Sequence, residues 1–169
     1  TSYCPGCGHG IVTRLVAEAI ETLGIRERAI AIVGIGCGGF SHHYMDVDAI
    51  EATHGRSPSF AVGYKLCRPD NIVFTYCGDG DSCAIGLGDL MHAANKGMPI
   101  TSIMVNNSVF GMTGGQMSPT TLDGQVTATT LKGRDAVTIH RDVQMMFQDS
   151  YAAMDPRMRI DQILARSEE

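Results

Sequence analysis

The 169-residue chain contains no run of lysines and arginines, and its formal net charge is −5. A nucleic-acid-binding surface needs a basic face, so nucleic acid is not an expected partner. No apolar stretch is long enough to span a bilayer and no signal-peptide pattern opens the sequence, so neither a membrane nor export is expected. There is no G-x-y period, internal repeat or low-complexity tract, which removes collagen-like and repeat architectures. Charged residues are scarce at 18% while hydrophobic ones reach 44%, a balance that fills a core and argues against disorder. The 6 cysteines are expected as metal or redox groups rather than disulfides, in a reducing cytoplasm.

Glycine is abundant instead, with 20 residues, about 12% against a usual ~7%. The glycines fall in short groups between apolar segments, as loops do that approach something closely. Thr1–Gly10 reads as a loop and Ile11–Leu23 as a helix with Ile11, Leu15, Ala19 and Leu23 at helical spacing, stopped by Gly24. Ala29–Ile35 has the length and composition of a buried parallel strand and runs into a second glycine loop, 34–39. The segment 42–55 fits neither pattern, and Phe60–Cys67 reads as a short helix. Ile72–Cys77 is a strand, Gly78-Asp79-Gly80-Asp81 a turn, Ser82–Lys96 a helix, and Ile100–Val105 another buried strand followed by Asn106-Asn107. Strand, helix and strand with short connections define an α/β class: an open parallel sheet with flanking helices. After Phe110 the sequence is loop-like to about 135. Arg141–Met154 and Met158–Ala165 then read as helices. The expected division is a binding domain over 1–135 and a helical tail over 136–169.

Ligands of an open parallel sheet sit beyond the carboxyl ends of its strands. That edge receives Asp79 from one strand and Asn107 from its neighbour. A carboxylate and an amide carbonyl are hard oxygen ligands suited to Mg²⁺ held together with phosphate oxygens. Gly78 and Gly80 allow close backbone approach, and the helix at Ser82 turns N–H groups toward an anion. The pattern predicts a Mg²⁺–diphosphate site. Cys4-x-x-Cys7 fits zinc, an iron–sulfur cluster or a redox dithiol, and Cys37, in the second glycine loop, is at the same edge. Cys67, Cys77 and Cys83 read as small buried residues. His54 and Arg56 are candidate contacts for a substrate carboxylate or cofactor, with a surface loop as the alternative; His42 and His43 read as loop caps.

The GDG…NN pair resembles the thiamine diphosphate motif. Together with Tyr3-Cys4-Pro5-Gly6-Cys7-Gly8-His9-Gly10, Gly34-Ile35-Gly36-Cys37, Thr53-His54-Gly55-Arg56 and Phe110-Gly111-Met112-Thr113-Gly114-Gly115-Gln116, it resembles the β subunit of a 2-oxoacid:ferredoxin oxidoreductase, most like the 2-oxoglutarate branch. The resemblance spans about residues 1–130. It implies a thiamine diphosphate-binding fold in which Asp79, Asn107 and the Val109 carbonyl hold Mg²⁺, while Gly80, Asp81 and Thr113 lie along the diphosphate. It further implies a [4Fe–4S] cluster on Cys4, Cys7 and Cys37. The activity implied is oxidative decarboxylation of a 2-oxoacid to an acyl-CoA with electrons passed to ferredoxin. No glutamate here is assigned to the aminopyrimidine, so a partner α subunit is implied. The charge of −5 makes this chain a poor sole dock for an acidic ferredoxin.

The family's fourth cysteine lies after the NN motif, and this chain has none after Cys83. The family's β subunits are also longer, so the expectation is a truncated chain or a tail that has diverged after about Arg134. Two other readings compete. A thiamine enzyme of the acetolactate synthase or decarboxylase kind leaves the loop cysteines unused. A non-catalytic α/β scaffold with structural zinc leaves GDGD…NN to chance.

Overall fold

The computed structural model describes residues 1–5 and 7–123. Its frame is a four-stranded parallel sheet in the order β2-β1-β3-β4, formed by β1 (Ala29–Val33), β2 (Asp48–Glu51), β3 (Ile72–Gly78) and β4 (Thr101–Val105). All of β1 is buried because both of its faces are covered. On one face Ala31, Val33, Phe74, Tyr76 and Val105 pack with Ile20, Val12 and Val16 of α1 (Gly8–Thr22). On the other, Ile30, Ile32 and Val73 meet Ala52 and Ala61, the latter from α2 (Ser57–Cys67). A parallel sheet between helices is the expected α/β class.

Several element ends differ from the sequence reading. The helix expected at Ile11 starts at Gly8, which puts His9 in its first turn. It ends as expected: Gly24, at φ 62°, donates its N–H to the Glu21 carbonyl at 3.0 Å. The helical spacing of Ile11, Leu15 and Leu23 is real, yet these are exposed, and the buried side carries His9, Thr13 and Ile20. The single helix expected over Ser82–Lys96 is divided. A π-helical segment spans Gly80–Ile85, with Gly86 N–H closing on the Asp81 carbonyl at 2.8 Å, and α3 (Leu87–Asn95) follows. Leu87 and Met91 of α3 are exposed, and Ala93 is buried.

The ambiguous segment 42–55 contains β2, an acidic, exposed edge strand. Its alternation is hidden because neither face is fully buried. The strand expected to be buried before Asn106 is β4, an edge among the described residues, with Thr101, Ser102 and Met104 exposed. A short antiparallel hairpin, β5 (Val109–Phe110) with β6 (Gln116–Met117), occupies part of the loop-like region after Phe110. Cys67 is exposed rather than buried, being the last residue of α2, while Cys77 is buried as expected. Among the described residues no helix is long and apolar enough to cross a membrane. The expected boundary at 135 and the expected helices at 141–154 and 158–165 lie outside the described residues.

Ile32 has 0% exposure at the centre of this frame. Ile32→Ala should therefore lower unfolding stability by about 2–5 kcal/mol, whereas Thr101→Ala on the exposed edge should stay within about 0.5 kcal/mol. Urea denaturation of both variants checks the contrast.

Candidate functional site

The strand order reverses between β1 and β3: β2 adds on one side of β1, β3 and β4 on the other. A crevice is expected at such a switch point. A cleft opens there, at the place in such sheets where small-molecule sites are preferentially found. Each strand end supplies a wall: Ile35, Gly36 and Cys37 beyond β1, His54 beyond β2, Gly78–Asp81 at the end of β3, and Asn107 with 109–113 beyond β4. Gly78 and Val105 are direct partners in the β3–β4 ladder, so Asp79 and Asn107 leave adjacent strands at nearly the same level.

Gly78, Asp79, Gly80, Asp81, Asn107, Val109 and Thr113, the residues expected at a cofactor, all line this cleft. Asp79 is 1% exposed, and its Oδ2 accepts hydrogen bonds from the Ser118 and Thr120 hydroxyls. The loop after β4 is built by its asparagines. Asn106 Oδ1 accepts from Ser108 N–H at 3.0 Å and Asn107 Oδ1 from Val109 N–H at 3.3 Å, with Ser108 in the left-handed region at φ 62°. Thr113 is tied to Gln116, its hydroxyl donating to the Gln116 Oε1 and its carbonyl accepting at 2.9 Å. Phe110 packs over the GDGD turn so closely that a Cβ on Gly80 would come within 2.3 Å of its ring.

Of the other candidates, His54 lines the cleft and Arg56 does not. The Arg56 guanidinium pairs instead with Asp89 of α3 at 2.7 Å. Cys37 lines the cleft, and Cys4 and Cys7 are outside it. Burial pushes the Cys37 thiol up, with the neighbouring Cys7 and Cys4 adding to the shift. Among the described residues, no three His, Cys, Asp or Glu side chains are gathered closely enough to hold a metal ion. His42 caps its loop as expected, through Nδ1 and the Gly39 carbonyl.

Three contributors had no place in the sequence reading. His9 lines the cleft, stacked on Tyr3 and linked to the Tyr76 hydroxyl. That hydroxyl donates to the His9 carbonyl at 3.2 Å and stands 3.0 Å from the Thr13 hydroxyl. The signal was its place in the Cys-Pro-Gly-Cys-Gly-His run, which helix α1 carries inward. Ser118 and Thr120 reach Asp79 from far along the chain, and no local spacing announces such a contact.

The donor chemistry fits a metal–diphosphate group. Two hard oxygen donors, Asp79 and Asn107, stand at neighbouring strand ends beside Gly78 and Gly80. The comparisons agree with this geometry. Residues 30–160 match the model of the thiamine pyrophosphate enzyme C-terminal TPP-binding domain, and the chain belongs to that family. Within it, the chain is 48% identical over 135 residues to the ketoisovalerate oxidoreductase subunit VorA of Methanothermobacter thermautotrophicus, covering 80% of this chain and 28% of the relative. It is 40% identical over 133 residues to the 2-oxoglutarate synthase subunit KorB of Archaeoglobus fulgidus, covering 79% and 50%. A structure of 2-oxoglutarate:ferredoxin oxidoreductase from Magnetococcus marinus, with 2-oxoglutarate, coenzyme A and succinyl-CoA bound, matches with a TM-score of 0.74 at 37% identity, over 79% of this chain and 46% of that one. The resemblance read from the motifs is borne out by these relatives. The chain spans half their length or less.

Burial lowers the pKa of His9 from its ordinary 6.5, against a smaller opposing pull from Asp79. The unfolded chain thus takes up this proton at a higher pH than the folded one. Stability should fall as pH drops below 6.5 and level off once the folded value is passed. His9→Gln should flatten that part of the stability–pH curve, read from urea midpoints between about pH 7.5 and about pH 5.

Proposed function

We propose that this chain is the thiamine diphosphate-binding part of a 2-oxoacid:ferredoxin oxidoreductase, in the position of the β subunit. The whole enzyme would convert a 2-oxoacid, with 2-oxoglutarate the first candidate, and coenzyme A to an acyl-CoA and CO₂. The two electrons released would pass to ferredoxin, in the cytoplasm. The carrying observation is that one cleft joins a hard-oxygen pair, Asp79 and Asn107, to a soft thiol, Cys37. A zinc scaffold has no use for the first, and a non-redox thiamine enzyme has none for the second.

When bound, thiamine diphosphate supplies the carbon nucleophile and the electron sink for decarboxylation. The chain's own residues bind and orient it. Asp79, the Asn107 side chain and the Val109 carbonyl would hold Mg²⁺ against the diphosphate. Gly78, Gly80, the Asp81 backbone and Thr113 would lie along it. Residues 1–135 form the binding domain in this reading. Cys4, Cys7 and Cys37 would give thiolate ligands to a [4Fe–4S] cluster. Support for that comes from the donor type and from the Cys37 thiol, which lies close to the cleft loop at Gly111. The carboxylate that activates the pyrimidine would come from an α subunit.

The activity test is anaerobic viologen reduction by the enzyme assembled with its partner subunits, dependent on both a 2-oxoacid and coenzyme A. Absence of that dependence in a folded, iron-loaded complex rejects the reading. At residue level, Asp79→Ala should abolish Mg²⁺-dependent thiamine diphosphate binding while the fold persists, because the diphosphate then loses the carboxylate that fixes its cation. Calorimetric titration decides it, and wild-type affinity would remove the metal assignment. Cys37→Ser should lower iron and acid-labile sulfide while leaving the cofactor affinity unchanged.

A further inference from the structure

The two acids of the GDGD turn are held in different ways. Asp79 is bonded by hydroxyls from beyond β6. Asp81 is bonded from the β2 side, where its Oδ1 accepts from Gly55 N–H at 2.7 Å and from His54 Nδ1. The Asp81 side chain is only 2% exposed. Its Oδ2 is buried without a hydrogen-bond partner and lies beside Cys77, where burial first and then the Asp81 carboxylate help push the thiol up to about 12. Gly34 makes room for this arrangement, since a Cβ there would come within 2.3 Å of Asp81 Oδ2 and 3.1 Å of Cys77 Sγ. Asp81 borders the cleft, but with its side chain so nearly buried it reaches a ligand chiefly through His54, whose side chain is 36% exposed and lines the cleft.

We propose that Asp81 is the positioning residue of His54: it keeps the imidazole proton on Nδ1 and leaves Nε2 as the ring nitrogen that meets the occupant of the cleft. A carboxylate accepts and never donates, so its partner nitrogen must carry the hydrogen. The second bond, from Gly55 N–H, fixes the carboxylate itself, and Gly55 is the next residue after His54, so ring and acceptor are anchored to the same short loop. In the neutral ring, Nε2 is then an acceptor. A diphosphate oxygen is an acceptor too and gains nothing from it, nor do the oxygens of a 2-oxoacid, whereas a donor group such as the thiol of the co-substrate coenzyme A does. Asp81 therefore serves the substrate end of the site, and Asp79 the diphosphate end. The identity of that substrate rests on the function proposed above, while the His54 tautomer does not.

The test begins with ¹⁵N–¹H correlation spectra of histidine-labelled protein assembled with its partner subunits. Wild-type His54 should show the Nδ1–H form. Asp81→Ala, which removes the acceptor, should let the proton move to Nε2. The kcat of Asp81→Ala for 2-oxoacid oxidation should fall roughly 100-fold, the scale of a misplaced proton-handling group. His54→Gln should give a similar fall, and the double variant should be no slower than His54→Gln alone, since both changes remove one device. A wild-type Nε2–H form or additive losses would each overturn the proposal. If Asp81→Ala does not fold, the wild-type spectrum decides alone, Nδ1–H upholding and Nε2–H overturning. An enzyme that binds thiamine diphosphate but oxidises no 2-oxoacid rejects the proposed function and leaves the tautomer result standing.

Discussion

Everything at the cleft depends on the register of the parallel ladder that joins β1, β3 and β4. Val33 pairs with Tyr76, and Gly78 pairs with Val105. These pairings bring the strand ends to a common edge, where loops of quite different sequence can converge on one volume. A slip of one residue would turn every side chain of β3 to the opposite face. The Tyr76 hydroxyl would leave the α1 side, where it meets Thr13 and His9, and Asp79 would lose its level with Asn107. The hydrophobic term enforces the register, because β1 and β3 are buried on both faces and distinct apolar sets fill each side. The core thus does more than stabilise. It fixes the level at which Asp79 and Asn107 leave their strands at the cleft edge.

The parts legible in the sequence were those whose physics is local. An apolar run of strand length, a turn made of Gly and Asp, and a glycine at a helix end each act within a few residues. For that reason β1, β3 and the end of α1 could be read directly, whereas the expected Gly-Asp turn is the entry into the π-helical segment, and the reversal of strand order then accounts for the cleft. Edge strands were harder. β2 reads Asp-Ala-Ile-Glu and is mostly exposed, so no burial pattern marks it. β4 looked buried because Ile103 and Val105 resemble an interior strand, yet its first residues face solvent. Contacts that close over long separations left no trace in spacing: Ser118 and Thr120 on Asp79, and His54 on Asp81.

Helix α1 shows why amphipathic reading can find a helix and miss its inner face. Its inward positions near the cleft are His9 and Thr13, both almost fully buried, while Ile11 and Leu15 are more than half exposed. Burying two polar side chains costs free energy unless their hydrogen bonds are satisfied. Tyr3 and Tyr76 satisfy them, through contacts of 3.0 to 3.3 Å. The polar network follows the site rather than the hydrophobic period, and the period alone therefore points to the wrong face. The apolar residues that pack on the sheet are Val12, Val16 and Ile20, none of them among the positions read from the sequence.

The two acids after β3 carry the same logic to the centre of the cleft. Neither carboxylate is open to water to any extent, Asp79 being 1% and Asp81 3% exposed. Two such groups within one turn are tolerable only if each has its own donors. The fold meets this by dividing the donors between two separate loops, hydroxyls from Ser118 and Thr120 for one and the His54–Gly55 loop for the other. The division has a chemical consequence. The carboxylate held only by hydroxyls is the one that, in the proposed function, would serve a cation. One held by an imidazole and a backbone amide instead spends its charge on orienting the ring. The π-helical turn over Gly80–Ile85 is where the chain separates the two, since Asp79 precedes that segment and Asp81 lies within it.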